Sequence, residues 1–362
     1  MDAIWHIHKS EQWKEFSVDN FIHNNKTGEL KREEWLPVIK DIITVFPGMK
    51  WDSKENRLID PSYIPNLKKC DWDSFVDTSK DIFLRNKGKR IGVQLSGGLD
   101  SSIIICLLNY LNIPFYAIGM STQRFEFRTE RHIQEALKSL AVETILIDYE
   151  KHLPMSNLFS IPPHQYPDIN SLNYSAELVM AEEAKKLGIE IIYTGDGGDN
   201  LLAEPISVNP LDCGWKPQNF TSSWISENVY KRKGIEIVSF YSFPEIMDLI
   251  FNFRKGLNED CLKLWARAFF KSILPAELSN YHYRADFWGI YISGLNEATN
   301  EIKKLNKQAF ELTNFYHFSE QYQKKLIEKD LLKTNKELYQ EIESILALAV
   351  WLNGVKNNKL IY

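Results

Sequence analysis

The chain has 362 residues, a net charge of −5, 44% hydrophobic residues and 13% aromatics. That is enough apolar material for a substantial core in one large domain or two ordinary ones, and it excludes global disorder. The charge excludes the clustered basic surface that nucleic-acid binding needs, and no apolar run approaches a membrane-spanning length.

The first residues, Met1 to His8, include an acid and no apolar core, so no secretory signal is expected. Cys70, Cys106, Cys213 and Cys261 are widely spaced and form no CxxC pair. This pattern favours a reducing, cytoplasmic address over a zinc or disulfide framework, with Cys106 as a core residue. Before about Arg85, "FPGMKWDSKENRLIDPSY" combines a Pro-Gly turn, short runs compatible with a hairpin, and a second proline stop.

From Lys89 to Thr194 strand and helix patterns alternate. Strands are expected at Arg90–Leu95, Phe115–Gly119, Glu143–Asp148 and Ile189–Thr194. Helices are expected at Asp100–Tyr110, around Glu130–Leu140, and at Ser175–Leu187, where Gly188 is the stop. The strands are apolar on both faces, as in a parallel sheet covered by helices. The expected fold is therefore α/β, a doubly wound, mostly parallel sheet with ligands at the carboxyl ends of its strands. From Phe220 onward the chain reads as mostly helical, and the charge in its last long stretch reads as a solvated helical face.

Two stretches carry chemistry. In "VQLSGGLDSSIIICLL" an apolar strand runs through two glycines into a helix. Ser96, Gly97, Gly98, Ser101 and Ser102 can offer amide and hydroxyl donors where a helix already presents unpaired N–H groups, which is a phosphate cradle. Asp100 would repel a phosphate unless a magnesium ion lay between them. A helix cap alone would explain an acid or a serine there, but not two glycines followed by an acid and two hydroxyls. The second stretch, "IIYTGDGGDNLL", follows the strand ending at Thr194, so Gly195–Asp199 should reach the same sheet edge. It adds Asp196 and Asp199, the latter placed to share magnesium with Asp100. It lacks the spacing of a calcium loop.

The pair "SGGLDSS" and "TGDGGD", about a hundred residues apart, resembles the N-type ATP pyrophosphatases (PP-loop enzymes of the adenine nucleotide α-hydrolase-like fold). Within them it resembles the asparagine synthetase group, which includes β-lactam synthetases and lasso-peptide cyclases. Weaker similarity continues through "EIVSFYSFPEIMDLI" and "KLWARAFFKSILPAEL" to "LALAVWLNG", from roughly Ser74 to the C-terminus.

The resemblance implies an ATP- and magnesium-dependent enzyme that adenylates a carboxylate, releases pyrophosphate and passes the acyl group to an amine or ammonia. It places Ser96, Gly98, Asp100 and Ser101 on the pyrophosphate portion and Leu95, Gly119 and Met120 on adenosine. Asp100 and Asp199 would hold magnesium, and Gly195 would lie near the α-phosphate. Asp196 would lie near the acyl acceptor, and Lys263 would neutralise phosphates. A second family lysine has no lysine counterpart, and Arg284 in "NYHYRADF" is its candidate. Arginine is not interchangeable with a point charge there.

Two domains are expected: an N-terminal α+β remnant over residues 1–85, not a working glutaminase, and a synthetase domain over 86–362 with a helical C-terminal part. Asparagine synthetases use an N-terminal cysteine for glutamine hydrolysis, and the corresponding residue here is Asp2. The acceptor is therefore expected to be ammonia from solution or a partner glutaminase, or an amine on a small-molecule or peptide substrate. A partner peptidase is compatible with the cyclase-like ending, and neither nucleic acid nor membrane is expected. The alternatives are a PP-loop enzyme modifying a nucleic acid and a nucleotide-binding protein without catalysis.

Overall fold

The computed structural model describes residues 50–52, 57–59, 71–123, 131–163, 167–204, 223–255, 258, 262–280, 288–313, 319–320 and 336–358. Contacts divide the chain into two compact units. One comprises Met1–Phe46, His152–Ala176 and Trp288–Tyr362, and the other Pro47–Lys151 and Glu177–Phe287.

The second unit carries the sheet. It opens with β1 (Lys50–Asp52) and β2 (Arg57–Ile59), an antiparallel pair with Trp51 opposite Leu58. The expected hairpin is thus present. α1 (Trp72–Leu84) follows, started by Asp71, whose carboxylate accepts from Ser74 N at 2.9 Å. Its inner face packs Phe75 edge-on against Phe270 at 5.2 Å and stacks Phe83 on Phe240 at 5.4 Å.

The central elements are β3 (Ile91–Gln94), α2 (Leu99–Tyr110), β4 (Tyr116–Ser121), α3 (Arg131–Leu137), β5 (Glu143–Asp148), α4 (Tyr174–Lys186) and β6 (Ile191–Thr194). They reproduce the expected alternation to within a few residues at the ends. α2 buries Ile103–Leu108 on all sides, Cys106 included, as a helix enclosed by the sheet and its neighbours must. Burial pushes the Cys106 thiol up to about 12, so it is a packing residue.

Beyond α5 (Gly198–Leu202) and α6 (Trp224–Arg232) lies a strand that the helical reading of this region misses, β7 (Glu236–Ser239). The five-stranded sheet runs β5-β4-β3-β6-β7, and every pairing is parallel. This is the doubly wound α/β sheet expected from the sequence. The chain builds outward from β3 to β5 on one side, then returns to place β6 and β7 on the other. The order therefore reverses between β3 and β6, where crevices open at the carboxyl ends of such sheets. α7 (Pro244–Arg254), α8 (Leu264–Phe269) and α9 (Ala276–Ser279) complete this unit.

In the other unit, α10 (Trp288–Glu297), α11 (Thr299–Thr313) and α12 (Lys336–Asn358) form a helical assembly. α11 buries Ile302, Leu305 and Ala309, and α12 buries Ile342, Ile345, Leu346 and Leu348. Glu301 on α11 accepts from Leu158 N at 2.9 Å, and Asn173 Nδ2 donates to Tyr291 Oη at 2.7 Å. Among the described residues no helix is long and apolar enough to cross a membrane.

Candidate active site

Two loops leave the sheet at the switch point. The first runs from Gln94 at the end of β3 into α2. Gly97 takes the left-handed φ of +87°, which turns the chain sharply before Gly98 opens the helix in an extended conformation. Ser102 N bonds to Gly98 O at 3.1 Å. The amides of Leu99, Asp100 and Ser101 are therefore the ones that helix geometry leaves unbonded, at the positive end of a 12-residue helix.

The serines differ in role. Ser96 is exposed, with its Oγ 2.9 Å from that of Ser101 and accepting from Gly98 N at 3.1 Å. Ser102 is fully buried and donates its hydroxyl to Gly98 O at 2.7 Å, so it braces the turn from inside.

The second loop leaves β6 at Thr194 and enters α5. It lies directly on the first: a Cβ on Gly198 would collide with the Asp100 carboxyl, and one on Gly195 would stand 2.9 Å from Ser101 N. Close packing of the two loops is a reason for these glycines that the sequence alone does not disclose.

At their junction Lys263 Nζ lies 2.6 and 2.7 Å from the two carboxylate oxygens of Asp100 and 2.7 Å from Asp199 Oδ1. The lysine comes from the turn before α8, where its backbone adopts φ +52°, an unusual conformation for a residue with a side chain. Burial opposes its charge, but Asp100 and Asp199 together hold the ammonium above its ordinary range. The Asp100 carboxyl is also raised, by burial first, with Lys263 pulling it back and Asp199 adding to the rise. Asp100 and Lys263 are largely buried, whereas Asp199 keeps a side-chain exposure of 64% and faces solvent.

Several supports were not visible in the sequence. Gln134 of α3 is buried and its Nε2 donates to Leu95 O at 3.0 Å, Ser96 O at 3.3 Å and Met120 O at 2.8 Å. It ties the end of β3 to the end of β4, the strand ends expected to meet adenosine. Its signal is a lone amide between the apolar residues Ile133 and Leu137 of one helical face. The Leu95 side chain is itself fully buried, and its backbone is engaged on both sides, N–H to Ile118 O at 2.7 Å and carbonyl from Gln134. Tyr241 Oη donates to Asp100 O at 3.0 Å. Arg267 donates through Nε to Leu262 O at 2.9 Å and through Nη1 to Leu278 O, binding the Lys263 turn to the "LPAEL" segment.

Asp196 lies at the tip of the second loop, exposed, accepting from Thr194 Oγ1 at 2.8 Å. Ser239 Oγ at the end of β7 donates to its carbonyl at 2.7 Å. The structure thus brings together Leu95–Ser102, Gly119, Met120, Gly195–Asp199 and Lys263. Arg284 lies outside the described residues.

The asparagine synthase family profile matches residues 86–227, the stretch that supplies both loops. This segment is an asparagine synthetase-like ATP pyrophosphatase domain. No curated protein matches the chain. Among solved structures, NMN synthetase from Francisella tularensis has a TM-score of 0.33 and 11% identity, covering 78% of this chain and 94% of its own. NH3-dependent NAD synthetase from Campylobacter jejuni subsp. jejuni NCTC 11168 has a TM-score of 0.31 and 14% identity, covering 80% of this chain and 97% of its own. NAD+ synthetase from Burkholderia Pseudomallei has a TM-score of 0.28 and 13% identity, covering 58% of this chain and 91% of its own. These scores carry no argument about fold or function. The assignment stands on the family match and the site's two motifs, and the fold on the sheet order.

Proposed function

We propose that the protein is an ATP-dependent carbon–nitrogen ligase that activates a carboxylate as its adenylate and transfers the acyl group to an amine. The observation that carries this reading is the convergence of Asp100, Asp199 and Lys263 where two Gly/Asp loops meet at the sheet's switch point. A phosphate-binding loop alone would serve any nucleotide. A second loop that adds a solvent-facing carboxylate beside a buried lysine suits the departure of a highly charged leaving group.

The residues also fit magnesium. Asp100 and Asp199 already converge on one cationic centre, and no group of three His, Cys, Asp or Glu side chains clusters among the described residues. Two protein carboxylates suit an ion that keeps waters and takes its remaining ligands from phosphates. Magnesium held there would supply charge neutralisation for the polyphosphate.

In the proposed first step a substrate carboxylate oxygen attacks the α-phosphorus of ATP, and the bond to the bridging oxygen breaks toward pyrophosphate. The α2 amides and the Ser96 and Ser101 hydroxyls bind the departing group, while Lys263 is redirected from its carboxylates toward phosphate oxygens. In the second step the acceptor nitrogen attacks the acyl carbon and AMP leaves. An amine attacks only when unprotonated, so exposed Asp196 takes or orients its proton. The substrate class is a small-molecule or peptide carboxylate.

The test is nucleotide product analysis during incubation of the protein with ATP, magnesium and a panel of carboxylates. AMP and pyrophosphate are expected in equal amounts. ADP and orthophosphate instead would reject the reading.

A further inference from the structure

The strand that the helical reading missed, β7, brings one short buried segment against both loops. Its parallel pairing with β6 sets Ser239 opposite Thr194, so the chain leaves the sheet beside the second loop. There Ser239 Oγ donates to Asp196 O at 2.7 Å, while Thr194 Oγ1 donates to the Asp196 carboxylate at 2.8 Å. From that carbonyl the chain turns through Gly197, at φ +75°, into α5 and Asp199. Holding the carbonyl therefore fixes the direction from which Asp199 arrives. Two residues after Ser239, Tyr241 Oη donates to Asp100 O at 3.0 Å, in the first turn of α2.

The segment is itself firmly seated. Ser239, Phe240 and Tyr241 are all buried. Phe240 stacks on Phe83 at 5.4 Å and meets Tyr241 edge-on at 5.4 Å, and Ser242 Oγ donates to Ser239 O at 2.8 Å. A tyrosine buried to its hydroxyl has one polar atom to place, and here that atom lies on the first loop.

Resting on the ligase reading above, we infer that Ser239 and Tyr241 are positioning residues for the shared cation site: one segment beyond β7 holds the second loop through Asp196 O and the first through Asp100 O, and so sets the spacing at which Asp100 and Asp199 converge. Neither hydroxyl is placed on the reacting atoms, and each acts through the peptide it orients. The loops also pack directly, Gly198 against the Asp100 carboxyl, but that contact resists approach and not separation. Hydrogen bonds to a common segment resist separation, which like charges on the two aspartates favour once Lys263 turns to phosphate. Magnesium, with its short bonds and strict octahedral geometry, tolerates little change in that spacing.

Tyr241→Phe and Ser239→Ala each remove one hydroxyl and keep the rest of the side chain. Amide hydrogen exchange on the full chain, read by mass spectrometry without nucleotide, tests the holding role. Tyr241→Phe should speed exchange over residues 97–102 and Ser239→Ala over residues 195–199, with β4 unchanged in both. Unchanged loops, or a rise shared equally by β4, would overturn the inference. Calorimetric titration with α,β-methylene-ATP and magnesium tests the cation site without an acyl substrate. Each variant should bind the analogue about fivefold more weakly than the wild type. The double variant should lose little more than either alone, because a cation shared by both loops is lost once one loop moves. Losses that multiply in the double variant, or that are as large for AMP without magnesium, would overturn the inference. Failure of the wild type to bind the analogue would count against the ligase reading, and the exchange comparison would still decide whether the two hydroxyls hold the loops.

Discussion

At the scale of single residues, the site depends on where charge is buried. Removing Lys263 strands Asp100, whose side chain is 18% exposed, whereas Asp199 at 64% can rely on water. Lys263→Met should therefore cost about 3 kcal/mol in urea denaturation, and Asp199→Asn less than about 1 kcal/mol. Equal costs would mean that the bridge is not organised around Asp100. Gln134→Leu strips one amide from three carbonyls and should cost about 2 kcal/mol while weakening ATP binding. Unchanged ATP affinity would separate Gln134 from the nucleotide. Asp100, Asp199 and the serines were legible because loop chemistry requires acids and hydroxyls beside glycines. Lys263 was legible only by resemblance, because its left-handed backbone and its position between two acids depend on contacts over more than 60 residues.

At the scale of elements, β4 shows how closely the sheet restricts its members. A Cβ on Gly119 would collide with the backbone carbonyl of Leu95, which cannot yield without breaking the Leu95 N to Ile118 O bond of 2.7 Å. A Cβ on Gly92 of β3 would instead meet Ile189 side-chain tips at 3.0 Å, which can rotate. Gly119→Ala should abolish soluble folded protein under conditions where Gly92→Ala survives, as judged by circular dichroism and yield. Comparable behaviour would contradict the packing account. The four strands flanking the motifs were readable from their apolar runs. β7 was not, because four residues that run from exposed Glu236 to buried Ser239 are too short to display a period between helical neighbours.

α12 carries a pH-dependent element of its own. Burial raises Glu343 from 4.5 to about 7. The folded state binds this proton more tightly than the unfolded chain. Its contribution is therefore complete below the unfolded value and is lost as pH rises through the folded one. Glu343→Gln should thus gain in Tm relative to the wild type between about pH 5 and about pH 8. A difference that stays flat or falls would contradict the assignment.

At the scale of the molecule, one topological reversal organises the chemistry. Because β6 returns to the far side of β3, two loops about a hundred residues apart in sequence emerge side by side, and a lysine from beyond β7 closes on both. The doubly wound sheet could be anticipated because parallel strands buried on both faces leave a plain apolar signature. The order of strands could not, because apolar runs do not encode which side of β3 the chain returns to. The central claim is that both loops belong to one ATP site. ATP–pyrophosphate exchange in Asp199→Asn tests it most directly, since this substitution is exposed and nearly preserves shape. The account predicts a loss of about a hundredfold or more against the wild type with unchanged thermal stability. Exchange near the wild-type rate would contradict it.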